Sequence, residues 1–452
     1  MTAIFEKKWW GVLLLSLMAT LLFVWSIGDT IALRNLLLAS ILLLLLPWGL
    51  AIPRRIGALG AQGPWLGFLA VTVWLLFQAV FISPETSWAL ANISGQWVKA
   101  GICLFIGFGA VLVGEQLGFS ARIIALVVVG ALGLECLAHG VDSLWLWYSQ
   151  GTPPFSISRL TGSKERISYV NNLFFSILAA EFVARVCFAK RFLPIAQKWL
   201  YAGAAIVYFN SWIIGARNGE IGALVLTFSV AVFVLYGRRV QIGGRNLFLG
   251  GIGVLLFVLF LGYAGYRSDG RWGTLLEQAS MGWQTDTYRY WINAKKYPIP
   301  VDKEGREVNQ SNYLRIAWIK EGAKIVADTP WGVGYGRTAF GHALVQRYPQ
   351  DAPNLGAHSH SGIIDWTIGT GWVGLALWLA FLGIGVYTGI RGFAMQAGPA
   401  PVILFFLISG YFFRSLVDSN IRDHMLEQFM FLYGAFYLLT IQQMRETTEK
   451  KN

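Results

Sequence analysis

Long apolar runs, separated by short polar segments, dominate the chain. A helix needs about 20 mostly apolar residues to cross a bilayer, and twelve segments approach that length. They lie at about 10–27, 31–51, 64–82, 99–117, 122–140, 171–188, 200–215, 221–236, 247–265, 370–390, 400–417 and 425–442. The alternating strands of about ten residues that a membrane barrel requires are not evident. The pattern predicts an all-α polytopic membrane protein with about twelve transmembrane helices.

One long polar segment interrupts this pattern and is expected to contain short helices. Apolar positions at helical spacing predict an amphipathic helix over 312–327, ended by Asp328-Thr329-Pro330. The glycines of 331–336 then predict a turn. We therefore divide the chain into helices 1 to 9 (1–265), a loop domain (266–361), and helices 10 to 12 with a C-terminal tail (362–452).

Composition and charge agree with a membrane protein. Of the 452 residues, 55% are hydrophobic and only 13% are charged, too few to cover a soluble protein of this size. A net charge of +12 would suggest nucleic acid binding in a soluble protein. Here the Lys and Arg residues gather in alternate loops, as the positive-inside rule requires if both termini are cytoplasmic. The long loop then lies outside the cytoplasm.

Three arginines are candidates for binding an anion. Arg217 lies where the seventh predicted span ends, Arg315 lies on the amphipathic helix, and Arg289 has aromatic neighbours. A guanidinium group holds phosphate oxygens with a planar fork, which suits a diphosphate. The alternatives are an arginine that reaches lipid head groups, a solvated helix face, or a structural contact with an aromatic ring.

Two histidines fall in one short segment before the tenth predicted span. His358 and His360 lie in Gly356–Gly362, and Asp365 follows. Histidine is the usual general base near neutral pH. A zinc site would need three or four ligands, and the cysteines (Cys103, Cys136 and Cys187) all lie in apolar runs without metal-ligand spacing. A serine hydrolase would need a G-x-S-x-G elbow, and none is present.

The order of these motifs resembles the O-antigen ligase and O-antigen polymerase superfamily. The matching pieces are Gly215-Ala-Arg-Asn-Gly219, Arg315-x-x-Trp318, the Asp328–Gly336 segment, and His360-Ser-Gly-Ile-Ile364 running into Gly369–Gly374. Each motif alone is weak, but the ordered set is fairly specific. After its histidine the family often has Asn, whereas this chain has Ser361.

The resemblance implies a bundle of twelve spans beneath a periplasmic loop domain in the bacterial inner membrane. It also implies an inverting, metal-independent glycosyltransferase without a cofactor. A ligase moves a glycan from undecaprenyl diphosphate to a sugar of lipid A-core, in lipopolysaccharide biosynthesis. By carry-over, Arg217 and Arg315, with Arg289, bind the diphosphate, and His360 activates the acceptor hydroxyl.

Several alternatives stay open at this point. His358, Asp365 and Tyr335 are possible supporting residues, and the histidine doublet leaves open which ring is the base. The main alternative function is an O-antigen polymerase, which uses the same donor. A protein O-oligosaccharyltransferase and a transporter of lipid-linked glycans are less favoured.

Overall fold

The computed structural model describes residues 2–242, 244–268, 275–351 and 358–450. Within these ranges most residues are helical and no strand occurs, apart from an isolated bridge between Val301 and Glu307. The helices are α1 (Thr2–Val24), α2 (Ile31–Leu45), α3 (Ala51–Ala58), α4 (Gly63–Phe81), α5 (Thr86–Asn92), α6 (Val98–Gln116), α7 (Ala121–Gln150), α8 (Lys164–Phe188), α9 (Gln197–Ile214), α10 (Arg217–Ile242), α11 (Gly244–Ser268), α12 (Leu275–Trp283), α13 (Gln310–Asp328), α14 (Ala339–Arg347), α15 (Gly362–Ala394), α16 (Pro399–Ser415) and α17 (Asp423–Glu449).

Each of the twelve predicted spans coincides with a helix of the described residues. Seven helical segments there are long and apolar enough to cross a membrane: Ile31–Trp48, Gly63–Phe81, Thr86–Gln116, Ala121–Gln150, Lys164–Phe188, Gly219–Arg238 and Gly362–Ala394. The all-α, polytopic membrane fold is therefore confirmed. The number of twelve crossings, the three-part division of the chain and the side on which the loop lies stay predictions.

The centre of the bundle is formed by α6, α8, α16 and α17, whose facing surfaces are almost entirely buried. Aromatic rings fill the space between them and α15. Tyr411 of α16 stacks on Phe429 of α17 at 3.8 Å between ring centroids, and Phe381 of α15 contacts Tyr433 of α17 edge to face at 4.8 Å. Such rings bury large areas and lock neighbouring helices in one arrangement.

The polar segment before α15 has a hydrophobic core of its own. Tyr313, Ala317, Phe340 and Leu344 are buried there, and Ile368 of α15 belongs to the same cluster. The amphipathic helix predicted over 312–327 is confirmed as α13, since its apolar face supplies this core. Asn309 caps the helix by accepting the backbone N–H of Asn312.

Helix α15 is interrupted at Gly371, which has φ +70° and ψ −178°. That conformation is essentially restricted to glycine. The interruption frees backbone carbonyls of the preceding turn, and the glycine-rich segment satisfies them. The N–H groups of Val333 and Gly334 donate to the carbonyls of Ile368 and Gly369 at 2.8 and 3.0 Å. The turn predicted over 331–336 is thus confirmed and serves to hold the kink.

Side chains of α4 complete this arrangement. The amide of Gln78 donates to the carbonyl of Trp331 at 3.0 Å and to that of Gly369 at 2.5 Å. The indole of Trp74 donates to the carbonyl of Thr370 at 2.7 Å. The start of α15, which follows the two candidate histidines, is therefore fixed from both sides.

Candidate functional site

A cavity of about 660 Å³ lies where the ends of several helices meet. The helix ends that form it are those the topology prediction places outside the cytoplasm. Its wall is predominantly polar, with residues from α2, α5, α6, α8, α13, α17 and the two segments before α15 and α17. The charged and imidazole side chains of the wall are Arg34, Lys99, Glu165, Arg166, Arg315, Arg337, His358, His360, Asp418, Arg422, Asp423, His424 and Glu427.

Both candidate histidines reach this cavity from the turn 358–361, which we name the histidine turn. The ring of His360 stacks on Trp318, with 5.3 Å between centroids and 15° between planes. Trp318 and Arg315 are one turn apart on α13, so the same helix face presents the stacking ring and a cation to the cavity. This geometry explains why the two residues occur at a spacing of three.

The protonation states suit a general base. Burial and, next, the positive charge of Arg315 together lower the pKa of His360 to about 4. Burial, with the charges of Arg422, His360 and Arg315, lowers the pKa of His358 to about 2. Both imidazoles are therefore neutral near pH 7 and able to accept a proton.

Hydrogen bonding distinguishes the two rings. Nδ1 of His358 accepts the backbone N–H of His360 at 3.3 Å. In the neutral ring that bond places the proton on Nε2, so this nitrogen is a donor. His360 itself has φ +58°, an uncommon conformation for a residue other than glycine. His358 thus holds the backbone of His360, whereas the ring of His360 stacks on Trp318.

Asp365 fixes the histidine turn rather than a histidine ring. Its carboxylate accepts the backbone N–H of Ser359 at 2.8 Å and the hydroxyl of Ser419. The N–H of Gly362 donates to the carbonyl of Asp418 at 3.0 Å. The turn and the segment before α17 are therefore joined by hydrogen bonds, which sets His360 relative to the opposite wall.

The cavity wall carries a net positive charge. Six cations face four carboxylates when the histidines are neutral, which leaves a net charge of +2. Asp418 is paired with Arg414 at 2.6 Å, and Asp423 with Arg337 at 3.0 Å, so the cations that remain exceed the carboxylates that remain. An anionic group is the ligand that such a wall attracts.

Four of the predicted residues are not among the described residues of this wall, and one of them is Asp365, which fixes the histidine turn. Arg289 donates instead to Asp351 at 2.6 Å and lies over the ring of Tyr297 at 4.9 Å. Tyr335 is buried behind the wall, where its hydroxyl accepts the amide of Gln96 at 2.6 Å. Arg217 begins α10, and its side chain lies outside the described residues.

Sequence reasoning missed several cations of the wall. Arg34, Arg166 and Arg422 belong to the wall and are not among the predicted site residues. A signal existed in the segment 414–424, where two arginines, two aspartates and a histidine lie between two apolar runs. Such a density of charge between adjacent spans points to a polar site at the membrane surface.

Among the residues that the structure describes, no group of three or more His, Cys, Asp or Glu is arranged to hold a metal ion.

Comparison with known proteins matches part of the chain to a family. Residues 199–379 match the O-antigen ligase family model. No curated protein matches the chain. The matched region includes α13 and the histidine turn, and thus Arg315, Trp318 and His360 of the site. A match to this family indicates a membrane glycosyltransferase-like enzyme of the O-antigen ligase or polymerase type, which acts on lipid-linked glycans. The resemblance drawn from the sequence is confirmed over this region, which is similar to the O-antigen ligase family.

Proposed function

We propose that this protein is an O-antigen ligase at the periplasmic face of the bacterial inner membrane. It transfers a glycan from undecaprenyl diphosphate to a sugar hydroxyl of lipid A-core, with inversion and without a metal ion. The observation that supports the proposal is the meeting of a neutral, stacked imidazole and an arginine of the same helix face in one cationic cavity.

The donor bond is already activated, because diphosphate is a good leaving group. Its departure builds negative charge on the phosphate oxygens. Arg315 and Arg422 are cationic neighbours of His360, which we propose as the base. We assign the diphosphate to these two and to Arg217, and leave Arg289 out because Asp351 engages it. A preorganised donor of this kind contributes about 3–4 kcal/mol to transition-state stabilisation.

His360 takes the proton of the acceptor hydroxyl as its oxygen attacks the anomeric carbon opposite the diphosphate. A positioned base contributes about 10²–10⁴-fold. The resulting imidazolium faces the carboxylates of Asp418 and Glu165, whose charges favour it. One displacement inverts the anomeric centre, and no covalent sugar intermediate forms, so no pair of catalytic carboxylates is required.

A two-acceptor assay tests this function. Purified protein receives a glycan on undecaprenyl diphosphate, with lipid A-core in one tube and fresh lipid-linked repeat in the other. We expect product only with lipid A-core, both with and without a chelator. Product only with the lipid-linked repeat would establish a polymerase, and product in neither tube would favour transport. Loss of product with chelator, reversed by a divalent metal, would overturn the metal-independent mechanism.

A further inference from the structure

The arginines of the cavity fall into two groups that act on different histidines. Arg315 and Arg422 are the arginines that lower the pKa of the rings in the histidine turn. The third histidine of the wall has other neighbours. Burial lowers the pKa of His424 to about 3, and the next positive charges that act on it are those of Arg34 and Arg166.

The second group has its own position, at the turn between α1 and α2. Arg34 donates to the carbonyl of Trp25 at 2.9 Å. The guanidinium of Arg166 lies on the other side of that turn, since a side-chain carbon built on Gly28 would come 3.5 Å from its Nη1 atom. Two guanidinium groups therefore reach the cavity beside one short turn, from α2 and from the start of α8.

Two polar nitrogen atoms of this group have no hydrogen-bond partner in the described part of the chain. Nε2 of His424 and Nε of Arg34 are buried, and neither has a hydrogen-bond partner among the described residues. The side chain of His424 is more than nine-tenths buried. A buried donor left without a partner costs about 1–3 kcal/mol. Both side chains also line the cavity, so an oxyanion there would lie beside the two of them, and the fork of an arginine suits a phosphate.

The balance of charge at this end is also positive. Lys99 lines the cavity, and the acidic neighbours that act on Arg34 are Glu427 and Asp423. The carboxylate of Glu427 accepts the indole N–H of Trp25 at 3.1 Å, and Asp423 is paired with Arg337 at 3.0 Å. Arg34, Arg166, Lys99 and Arg337 thus outnumber these two carboxylates. A phosphate at this place meets a net cationic surface.

An apolar groove lies farther along α2, on the face of that helix that also lines the cavity. Ile31 and Asn35 line the cavity, and Leu42 lines the groove. Their spacing of four and seven residues puts all three on one helix face. The groove has a volume of about 430 Å³ and a nearly entirely apolar wall that includes Trp65 and Phe105. A hydrocarbon chain that runs from the anion along this face of α2 would therefore reach the groove.

We infer that Arg34, Arg166 and His424 form a second phosphate-binding subsite, which takes a phosphate monoester of the acceptor glycolipid, with an acyl chain of that lipid in the α2 groove. This inference rests on the proposed function, which assigns the donor diphosphate to Arg315 and Arg422. The two substrates are then held together, each by its own arginines, before the sugar is transferred.

The test compares binding of three ligands to the full chain in detergent micelles. They are lipid A-core with its phosphates, the same lipid after phosphatase treatment, and undecaprenyl diphosphate. The variants are Arg34→Gln and Arg315→Gln, with Arg166→Gln as a second probe of the subsite in case the first fails to fold. Arg159→Gln is the matched control, because Arg159 is exposed and pairs with Asp142 outside the cavity.

We expect Arg34→Gln to weaken binding of the phosphorylated lipid about tenfold, the effect of losing one charge-assisted hydrogen bond. Binding of the dephosphorylated lipid and of undecaprenyl diphosphate should not change. Equal binding of both lipid forms by wild type and variant, or selective loss of undecaprenyl diphosphate, would overturn the second subsite. The Arg315→Gln arm reports on the donor site, so the proposed function and the subsite can fail separately.

Discussion

At the scale of single residues, the candidate site contains an imidazole, that of His360, which burial and neighbouring guanidinium groups keep neutral. His360 was found from the sequence because two histidines in a short polar segment are rare in so apolar a chain. Arg34, Arg422 and His424 were not found, since nothing in a linear sequence shows which helix ends converge. Residue type and spacing in the sequence identified Arg315, His358 and His360. The other cations of the wall come from helices that only the packing of the fold brings together.

The first prediction concerns the base. We expect His360→Ala to reduce transfer by about 10²-fold or more, as for other positioned bases. His360→Asn is the better-matched variant, because Asn tolerates a positive φ and so preserves the backbone of the turn. The measurement is initial rate of transfer together with the thermal unfolding midpoint. Full activity in a folded His360→Asn variant would remove His360 from the mechanism.

The pH dependence of transfer carries a second prediction. Because the pKa of His360 is lowered to about 4, we expect the base to stay neutral above that pH and activity to fall as pH decreases through it. Arg315→Gln removes a positive neighbour, so the pKa of His360 should rise. The acid side of the kcat/KM profile should then move to higher pH, while Arg159→Gln leaves it in place. An unshifted profile would place Arg315 away from the base.

A third prediction separates Arg289 from the site. Its guanidinium pairs with Asp351 and stacks on Tyr297, so its role is to hold the segment between α12 and α13. Part-exposed ion pairs contribute about 0–1 kcal/mol. We therefore expect Arg289→Gln to lower the thermal midpoint slightly and to leave transfer unchanged. A large loss of kcat in a stable variant would return Arg289 to the diphosphate site.

At the scale of elements, the sequence predicted α13 and the glycine-rich turn but not the kink that the turn holds. The tenth span was predicted to begin near 370, whereas α15 begins at Gly362. Its first turns are more polar, and their hydrophobic pattern is therefore weak. An interruption of the helix at one glycine does not change the periodic pattern of the sequence. Its cause is the backbone of the segment around Trp331, which lies against Gly371.

The kink gives the fourth prediction. In Gly371→Ala the new carbon would lie 2.4 Å from the backbone of Trp331, and φ would stay positive. Strain and overlap together should cost about 2–5 kcal/mol. Gly383→Ala, on the same helix with no atom within 4 Å of the new carbon, should be stabilising by about 0.5–1 kcal/mol. Thermal unfolding in detergent measures both. Equal midpoints for the two variants would contradict the kink as a structural requirement.

At the scale of the whole molecule, twelve apolar runs sufficed to predict an all-helical membrane protein. Which of these runs cross the membrane depends on the surrounding lipid as well as on the chain. The short helices α3 and α5 were not predicted, since each has fewer than ten residues and little periodic signal. The loop core around Tyr313 was likewise beyond pattern analysis, because its members are separated by long stretches of chain.

Labelling tests the predicted topology as the fifth prediction. A Cys187→Ser background is suitable, because Cys103 and Cys136 are buried. Glu304→Cys and Glu449→Cys then place thiols at exposed positions of the loop and of the end of α17. We expect a membrane-impermeable maleimide to label position 304 in intact spheroplasts and position 449 only after permeabilisation. Labelling of both positions in intact spheroplasts would contradict the assignment of sides.

The wall contributed by the segment before α17 has a consequence for biogenesis. Arg422 and His424 are synthesised long after Arg34, yet all three line one cavity. A nascent chain therefore has no complete pocket until its final helix has been inserted. Premature chain termination anywhere upstream of these residues yields a product that lacks part of the cavity wall.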